Sequence, residues 1–223
     1  MQSSQWLQGG PFLEVSFLLQ LKEDKRKTIQ FILDNLSKVN NNIEIVDDNI
    51  GEVMDAFEVG YPYDEGDVQT THIHSFSLNL YVYLTRRRKS VLQIDLVSSN
   101  TVMVNFMFYG STMDAGEWEQ IGIEQDEYTD FTNFLKNLYA VYEFEVGGIA
   151  MEENVLELFG SEEIYPNECY RYEALDPERF LQESSAFIDI IWKDTNKKLL
   201  DVPFNHVRLD KQGILIHVCS FND

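Results

Sequence analysis

Residues 77–108 read SLNLYVYLTRRRKSVLQIDLVSSNTVMVNFMF and contain three strand patterns in succession. Apolar side chains recur at every second position over 77–84, 91–97 and 102–108, which assigns one face of each strand to a core. Only short polar segments connect the three patterns. Such short connections predict an antiparallel meander with one buried face.

Outside the meander, the chain contains two strand–helix–strand units, over residues 12–46 and 102–149. Their helices, 24–39 and 124–142, carry apolar residues at the spacing of one helix face. The two units share a layout but almost no residue identity, so they form a candidate pseudo-repeat. No linker rich in Pro, Gly or Ser separates them, and we expect 1–223 to be a single domain.

These patterns together predict an α+β fold, with a largely antiparallel mixed sheet and the two main helices packed on one face. Residues 47–71 show no clear period and contain three glycines and a proline. We expect them to form a long functional loop. Further along, the sequence predicts a short helix over 152–159, a helix over 176–183, a strand over 187–192 and a final hairpin that turns at 210–213.

Charge is the most unusual property of the composition. The chain has 17 Lys and Arg residues against 38 Asp and Glu residues, a formal net charge of −21. Residues 114–168 hold fifteen of the acids and one base, Lys136. Aromatic side chains are interleaved with these acids, so the segment is expected to be folded as well as acidic. Because acidic surfaces attract basic partners, the segment is a candidate docking surface.

Part of this acidic segment has a local explanation. Six acids fall in the first turns of predicted helices, where carboxylates complement the helix dipole. The remaining nine are the informative group, and they lie near Trp118 and Tyr165. The alternative interpretation of these nine is a plain solvated face. The residues predicted to bind a basic partner are Glu117, Trp118, Glu119, Glu143, Glu145, Glu162, Glu163 and Tyr165.

The run Arg86-Arg87-Arg88-Lys89 concentrates four of the basic residues at one predicted turn. It could bind an anion or the acids of a partner, or it could pair with the acidic surface of this protein. We favour a third interpretation, an exposed hairpin tip kept in water by its charges, because short polar turns need nothing more.

His72 and His74 are the only metal-like pair in the sequence. Spaced two apart on a strand, both imidazoles would point the same way, and with a carboxylate from the 61–68 loop they could hold Zn²⁺ or Fe²⁺. A metal-dependent enzyme or sensor is therefore one alternative function. A structural or oligomeric subunit that uses Tyr81 and Tyr83 as a self-interface is another. His217, in the final hairpin, is predicted to be structural.

Several function classes are not expected. The charge argues against nucleic-acid binding and against an anionic membrane surface. No secretory signal or apolar span is visible, so a cytoplasmic location is predicted. Cys169 and Cys219 are interpreted as a reduced pair, and a disulfide between them is the alternative. There is no catalytic or cofactor motif of high specificity, so we expect neither enzyme activity nor a cofactor. The leading hypothesis is an acidic protein-binding module, similar in class to an immunity or inhibitor protein for a bacterial toxin.

Overall fold

Strand β1, Phe12–Gln20, lies at the centre of a nine-stranded sheet. The computed structural model describes residues 6–22, 24–39, 42–66, 70–159, 167–175, 186–193 and 205–218. The helices are α1 (Lys25–Leu36), α2 (Ile50–Val59) and α3 (Tyr128–Tyr142). The strands after β1 are β2 (Ile43–Ile45), β3 (Tyr61–Pro62), β4 (His72–Ile73), β5 (Ser75–Tyr83), β6 (Arg87–Ser98), β7 (Thr101–Tyr109), β8 (Val146–Met151), β9 (Phe187–Lys193), β10 (Asn205–Arg208) and β11 (Gly213–His217).

The sheet has the strand order β10–β11–β9–β8–β1–β7–β6–β5–β2, and every neighbouring pair is antiparallel. Strands β5, β6 and β7 are consecutive both in sequence and in the sheet, which confirms the predicted meander. Strands β3 and β4 pair separately. The predicted α+β class with a largely antiparallel sheet is confirmed.

The three α-helices cover one face of the sheet. Alternating residues of β1, among them Leu13, Val15 and Phe17, meet the apolar stripes of the helices in one core. Burial of each large apolar side chain contributes about 1.5–3 kcal/mol. The Tyr142 hydroxyl donates a hydrogen bond of 2.7 Å to the Ile32 carbonyl, which ties α3 to α1. Burial raises the pKa of Tyr142 well above its ordinary value, so the hydroxyl remains a donor.

A smaller apolar cluster lies on the opposite face. Here Leu18, Ile190 and Trp192 pack against short 3-10 helices at Val155–Phe159 and Glu168–Tyr170. The predicted helix over 152–159 is therefore a 3-10 turn that starts three residues later. The predicted helix over 176–183 lies outside the described residues.

The prediction of a long irregular loop over 47–71 is wrong in its first half, which contains α2. Ile50, Val53, Met54 and Phe57 recur at helical spacing, and Met54 and Phe57 are buried. Gly60, with a φ of 70°, ends the helix in a conformation that glycine adopts without strain. The short apolar stripe was masked by the acids and glycines around it.

Two glycines in β8 have a packing role rather than a ligand-binding one. A Cβ atom on Gly147 would lie 2.7 Å from the rings of Phe144 and from the Cβ of Phe17. A Cβ on Gly148 would lie 2.6 Å from the ring of Phe187. The absence of side chains here lets aromatic rings pack directly on the sheet.

Candidate functional site

The connection between β7 and α3, residues 111–127, carries part of the predicted docking surface and is called the acidic loop below. It folds back on itself through a β-bridge between Ala115 and Gln120. The Ile123 amide donates a hydrogen bond of 2.7 Å to the Ser111 carbonyl, which closes the base of the loop. At its end, Glu124 and Glu127 form a reciprocal capping box that begins the helix.

A buried ion pair anchors this loop to the sheet. Arg88 on β6 donates to both carboxylate oxygens of Glu127, at 2.6 and 2.5 Å, and both side chains are 4% exposed. The same guanidinium donates to the carbonyls of Ile121 and Gly122. One arginine therefore fixes the loop backbone and the start of α3 together.

The predicted exposed tip at 86–89 is thus wrong. Arg87 to Lys89 belong to β6, and these residues pair with acids of the same chain. Arg86 lies 2.6 Å from Glu124, and Arg87 lies 3.1 Å from Glu44. Self-pairing, an interpretation that the sequence left open but did not favour, is what the structure shows. The partners are more than thirty residues away in sequence, beyond the reach of a local pattern.

The outer side of the acidic loop exposes apolar side chains beside carboxylates. Met113 is 77% exposed and Ile121 is 44% exposed, and Trp118 is half-buried. Glu117 is exposed and has no ion-pair partner among the described residues. Glu119 is 86% exposed, so water screens its ion pair with Lys89, which lies at 3.5 Å. Glu117 and Glu119 are therefore exposed carboxylates on either side of the half-buried Trp118.

Glu143 and Glu145 lie elsewhere, at the other end of α3. Their spacing of two residues would place both on one face of a strand, but β8 begins at Val146 and Glu143 ends the helix with a φ of 48°. Lys211 Nζ donates a hydrogen bond of 2.8 Å to Glu143 Oε1, and Lys193 Nζ lies 3.8 Å from Glu145 Oε1. The hydrogen bond from Lys211 lowers the pKa of the Glu143 carboxyl. Both acids are thus occupied by bases of this chain.

The remaining predicted residues Glu162, Glu163 and Tyr165 lie outside the described residues. Two neighbouring tyrosines, Tyr170 and Tyr172, are among the described residues. Tyr170 is 3% exposed and packs edge-on against Phe159 at 5.3 Å. Burial raises the pKa of Tyr172 well above its ordinary value. The Tyr170 ring packs over the core, and Tyr172 is half-buried.

The two histidines of the metal alternative differ in their surroundings. His72 is exposed on β4, whereas His74 is 9% exposed and engaged at both ring nitrogens. Its Nδ1 lies 2.8 Å from the Phe57 carbonyl, and its Nε2 lies 2.7 Å from the Lys25 amine. Burial lowers the pKa of His74. No group of three His, Cys, Asp or Glu side chains in the described ranges is arranged to hold a metal ion.

The tyrosines of the self-interface alternative are partly covered. The Arg87 guanidinium lies 3.4 Å above the ring of Tyr81 and 5.5 Å from that of Tyr83. Trp6 packs edge-on against Tyr81 at 4.8 Å and donates to the Ser90 carbonyl. The chain therefore uses part of this face for its own packing.

Two further surfaces were missed from the sequence. Val59, Tyr61 and Tyr63 are 73%, 53% and 55% exposed at the end of α2 and along β3. A groove between α3 and the outer strands holds Asp189 and His217, joined by a 2.7 Å hydrogen bond. One signal was present for the groove: Asp189 is the only charged residue in the apolar run FIDIIW at 187–192.

The sequence matches neither a protein-family model nor any curated protein. None of the helices in the described ranges is long and apolar enough to cross a membrane. The function must therefore be argued from the surfaces themselves.

Proposed function

We propose that this protein is a binding module whose acidic loop docks a basic protein partner. The observation that carries the proposal is the combination found on residues 111–127. Exposed apolar side chains stand beside exposed carboxylates, on a backbone that a buried ion pair holds in place. Neither property alone would distinguish a binding surface from an ordinary one.

The rigidity of the acidic loop favours binding. Ordering a flexible loop on association costs free energy, which a preorganised loop avoids. Arg88 supplies this order, because it binds Glu127 and two loop carbonyls at once. A long connection would otherwise have many conformations to lose.

The chemistry of the exposed side chains suits a basic partner. Glu117 and Glu119 would attract Arg and Lys side chains and speed the encounter. Met113 and Ile121 would supply the apolar contact that tight interfaces place at their centre. Trp118 lies between these two residues in the sequence and is half-buried. Tryptophan is enriched at the centres of protein interfaces.

At a finer level, we propose an inhibitor or immunity protein for a bacterial toxin, in which the partner is a nuclease with a basic active site. This rests on analogy with small acidic inhibitors and on the acidic loop as a surface that imitates phosphates. A toxin gene directly beside the gene for this chain would support it, and a metabolic neighbourhood would count against it.

The test is affinity capture from the native organism with matched charge reversals. E117K/E119K reverses two glutamates spaced two apart on the acidic loop. E143K/E145K reverses two glutamates of the same spacing at the other end of α3, with an identical change in net charge. We expect the second variant to retain a basic partner and the first to lose at least about tenfold in affinity, because reversed charges repel cationic side chains.

Circular dichroism checks that both variants are folded, which matters most for E143K/E145K because Glu145 and Lys193 are only 18% and 24% exposed. Equal loss of binding in both variants would mean that net charge alone attracts the partner, and it would contradict the proposal. Failure of the wild-type protein to retain any basic protein would contradict it as well.

A further inference from the structure

A groove of about 810 Å³ opens between α3 and the outer strands β9, β11 and β10. Sites for small molecules usually have volumes of roughly 300–1,000 Å³. One wall is the exposed side of α3, and the floor is the part of the sheet that α3 does not cover. The described lining is mixed, with Leu215 and Val207 beside hydroxyl, amide and charged groups.

A polar row crosses the floor of this groove. Asn205, His217 and Asp189 are in register on three adjacent strands, so their side chains share one face. Their neighbours along β9 and β11 are isoleucine, leucine and tryptophan. Asp189 is 3% exposed, and its burial in an apolar strand is costly unless its oxygens are bonded.

Both carboxylate oxygens of Asp189 have donors. His217 Nδ1 lies 2.7 Å from Oδ1, and the Thr132 hydroxyl on α3 donates to Oδ2. The N–H of His217 Nδ1 therefore donates to the carboxylate, and the other ring nitrogen, Nε2, does not bond to Asp189. No described residue bonds to Nε2, and the imidazole side chain is 40% exposed. When protonated, His217 therefore has a cationic N–H available to the groove.

Lys136 supplies a second positive charge to the same groove. It is the one base in the acidic segment 114–168, yet it forms no ion pair with any described carboxylate. Lys136 Nζ donates a hydrogen bond of 3.4 Å to Asn133 Oδ1. In a chain with 38 acids against 17 bases, a groove lysine that pairs with no described carboxylate is available for a ligand.

We propose that this groove binds a small molecule through an anionic group, a carboxylate or a phosphate, held between Lys136 and protonated His217. Asp189 acts through His217 as a positioning residue, and Thr132 fixes Asp189. The amides of Asn133 and Asn205 provide further donors at the edges. The groove shares Gln125 and Asp126 with the end of the acidic loop, but anion binding by Lys136 and His217 does not depend on the proposed docking of a basic partner.

An anionic ligand should bind more tightly when His217 is protonated, because the imidazolium adds a positive charge and an N–H donor to the groove. The titratable groups that face it are Asp189 from β9 and Asp126, Tyr128 and Lys136 from α3 and its entrance. The described lining of β10 is uncharged. Asp126 repels an anion and Lys136 attracts it, so the charge on His217 decides whether the affinity for the anion rises.

The probes are inorganic phosphate and acetate, added to the protein without any partner at about pH 6, below the ordinary histidine pKa of about 6.5. Imidazole NMR signals report on His217 directly, and exposed His72 is the internal reference. We expect phosphate or acetate to shift His217 in a saturable manner while His72 stays unchanged. The stronger of the two arms identifies the anionic group. Chloride at equal ionic strength controls for screening.

K136Q should weaken binding at least about fivefold, because one charge-assisted contact is lost. K38Q is the matched control, since Lys38 also bonds an asparagine three residues earlier, at 2.8 Å, but lies just after the end of α1. The proposal is overturned if His217 does not respond to either anion, or if K136Q and K38Q bind alike. Capture of the basic partner by K136Q should remain normal in either case.

Discussion

The two ends of α3 carry the same kind of residue and use it differently. At the start of the helix, Glu127 is buried against Arg88 and fixes a loop whose outer carboxylates are exposed. At the end of the helix, Glu143 and Glu145 are bound by Lys211 and Lys193. The 15 residues between them span about 22 Å.

This difference shows that a count of acids does not locate an acidic surface. The predicted site grouped the acids of 114–168 because they are close in sequence. In the fold, bases from β9 and from the turn before β11 neutralise one subset, whereas one buried arginine organises the other. Among the described residues, the acidic loop combines exposed carboxylates and exposed apolar side chains with a backbone that a buried ion pair holds in place, and this is why the docking proposal rests there.

The largest expected effect comes from Glu127→Gln. Removal of the carboxylate leaves the Arg88 charge buried at 4% exposure without its counter-ion. We expect a loss of about 3 kcal/mol or more in the free energy of unfolding, measured by urea denaturation. Amide hydrogen exchange over 111–127 should rise by a larger factor than in the sheet. A loss below about 1 kcal/mol would show that the pair does not anchor the loop.

Replacement of both partners sharpens this test. The double variant R88M/E127L removes both charges, so its stability should return to within roughly 1–2 kcal/mol of wild type. The carbonyls of Ile121 and Gly122 would still lack their donor. Loop exchange should therefore remain fast while global stability recovers. If amide hydrogen exchange in the acidic loop were as slow as in wild type, packing rather than Arg88 would order the loop.

Glu143→Gln makes the identical substitution at the other end of the helix. Its pair with Lys211 is about half exposed on both sides, so solvent already screens it. We expect a change of less than about 1 kcal/mol in the free energy of unfolding and no change in loop exchange. An effect as large as that of Glu127→Gln would remove the contrast between the two ends.

The smallest effect concerns the titration of Glu143. Because Lys211 lowers the pKa of this carboxyl in the folded state, the pair contributes stability above the unfolded pKa. That contribution is lost as the pH falls through the lowered folded pKa. Carboxyl NMR titration should show Glu143 below the ordinary glutamate value of about 4.3, and K211M should raise it. An unchanged pKa in K211M would contradict the pairing.

The sequence predicted the parts of the fold that depend on local periodicity. Strands β5 to β7 and helices α1 and α3 show clear periods, so their buried faces were predicted with the elements. Helix α2 was missed because its apolar stripe is short and lies among acids and glycines. The burial of Arg88 was missed because its partner, Glu127, lies 39 residues away and on a helix.

The sites were less predictable than the fold, for a physical reason. Whether an acid is free depends on which bases the topology brings to it, and local spacing does not contain this information. The pairing of Glu143 with Lys211 crosses 68 residues. Asp189 and His217 are 28 residues apart and meet because β9 and β11 are neighbours in register. An isolated Asp in an apolar strand was the one local signal available.

The most direct measurement is a backbone NMR titration of the labelled protein with a hexa-arginine peptide at about 0.15 M salt, where long-range attraction is screened beyond about 8 Å. Local free carboxylates, rather than net charge, then decide where the peptide binds. Saturable shifts should centre on residues 113–126 and leave 143–145 unaffected. Shifts that centre on 143–145, on the exposed tyrosines at 61–63, or evenly over the surface would contradict the account.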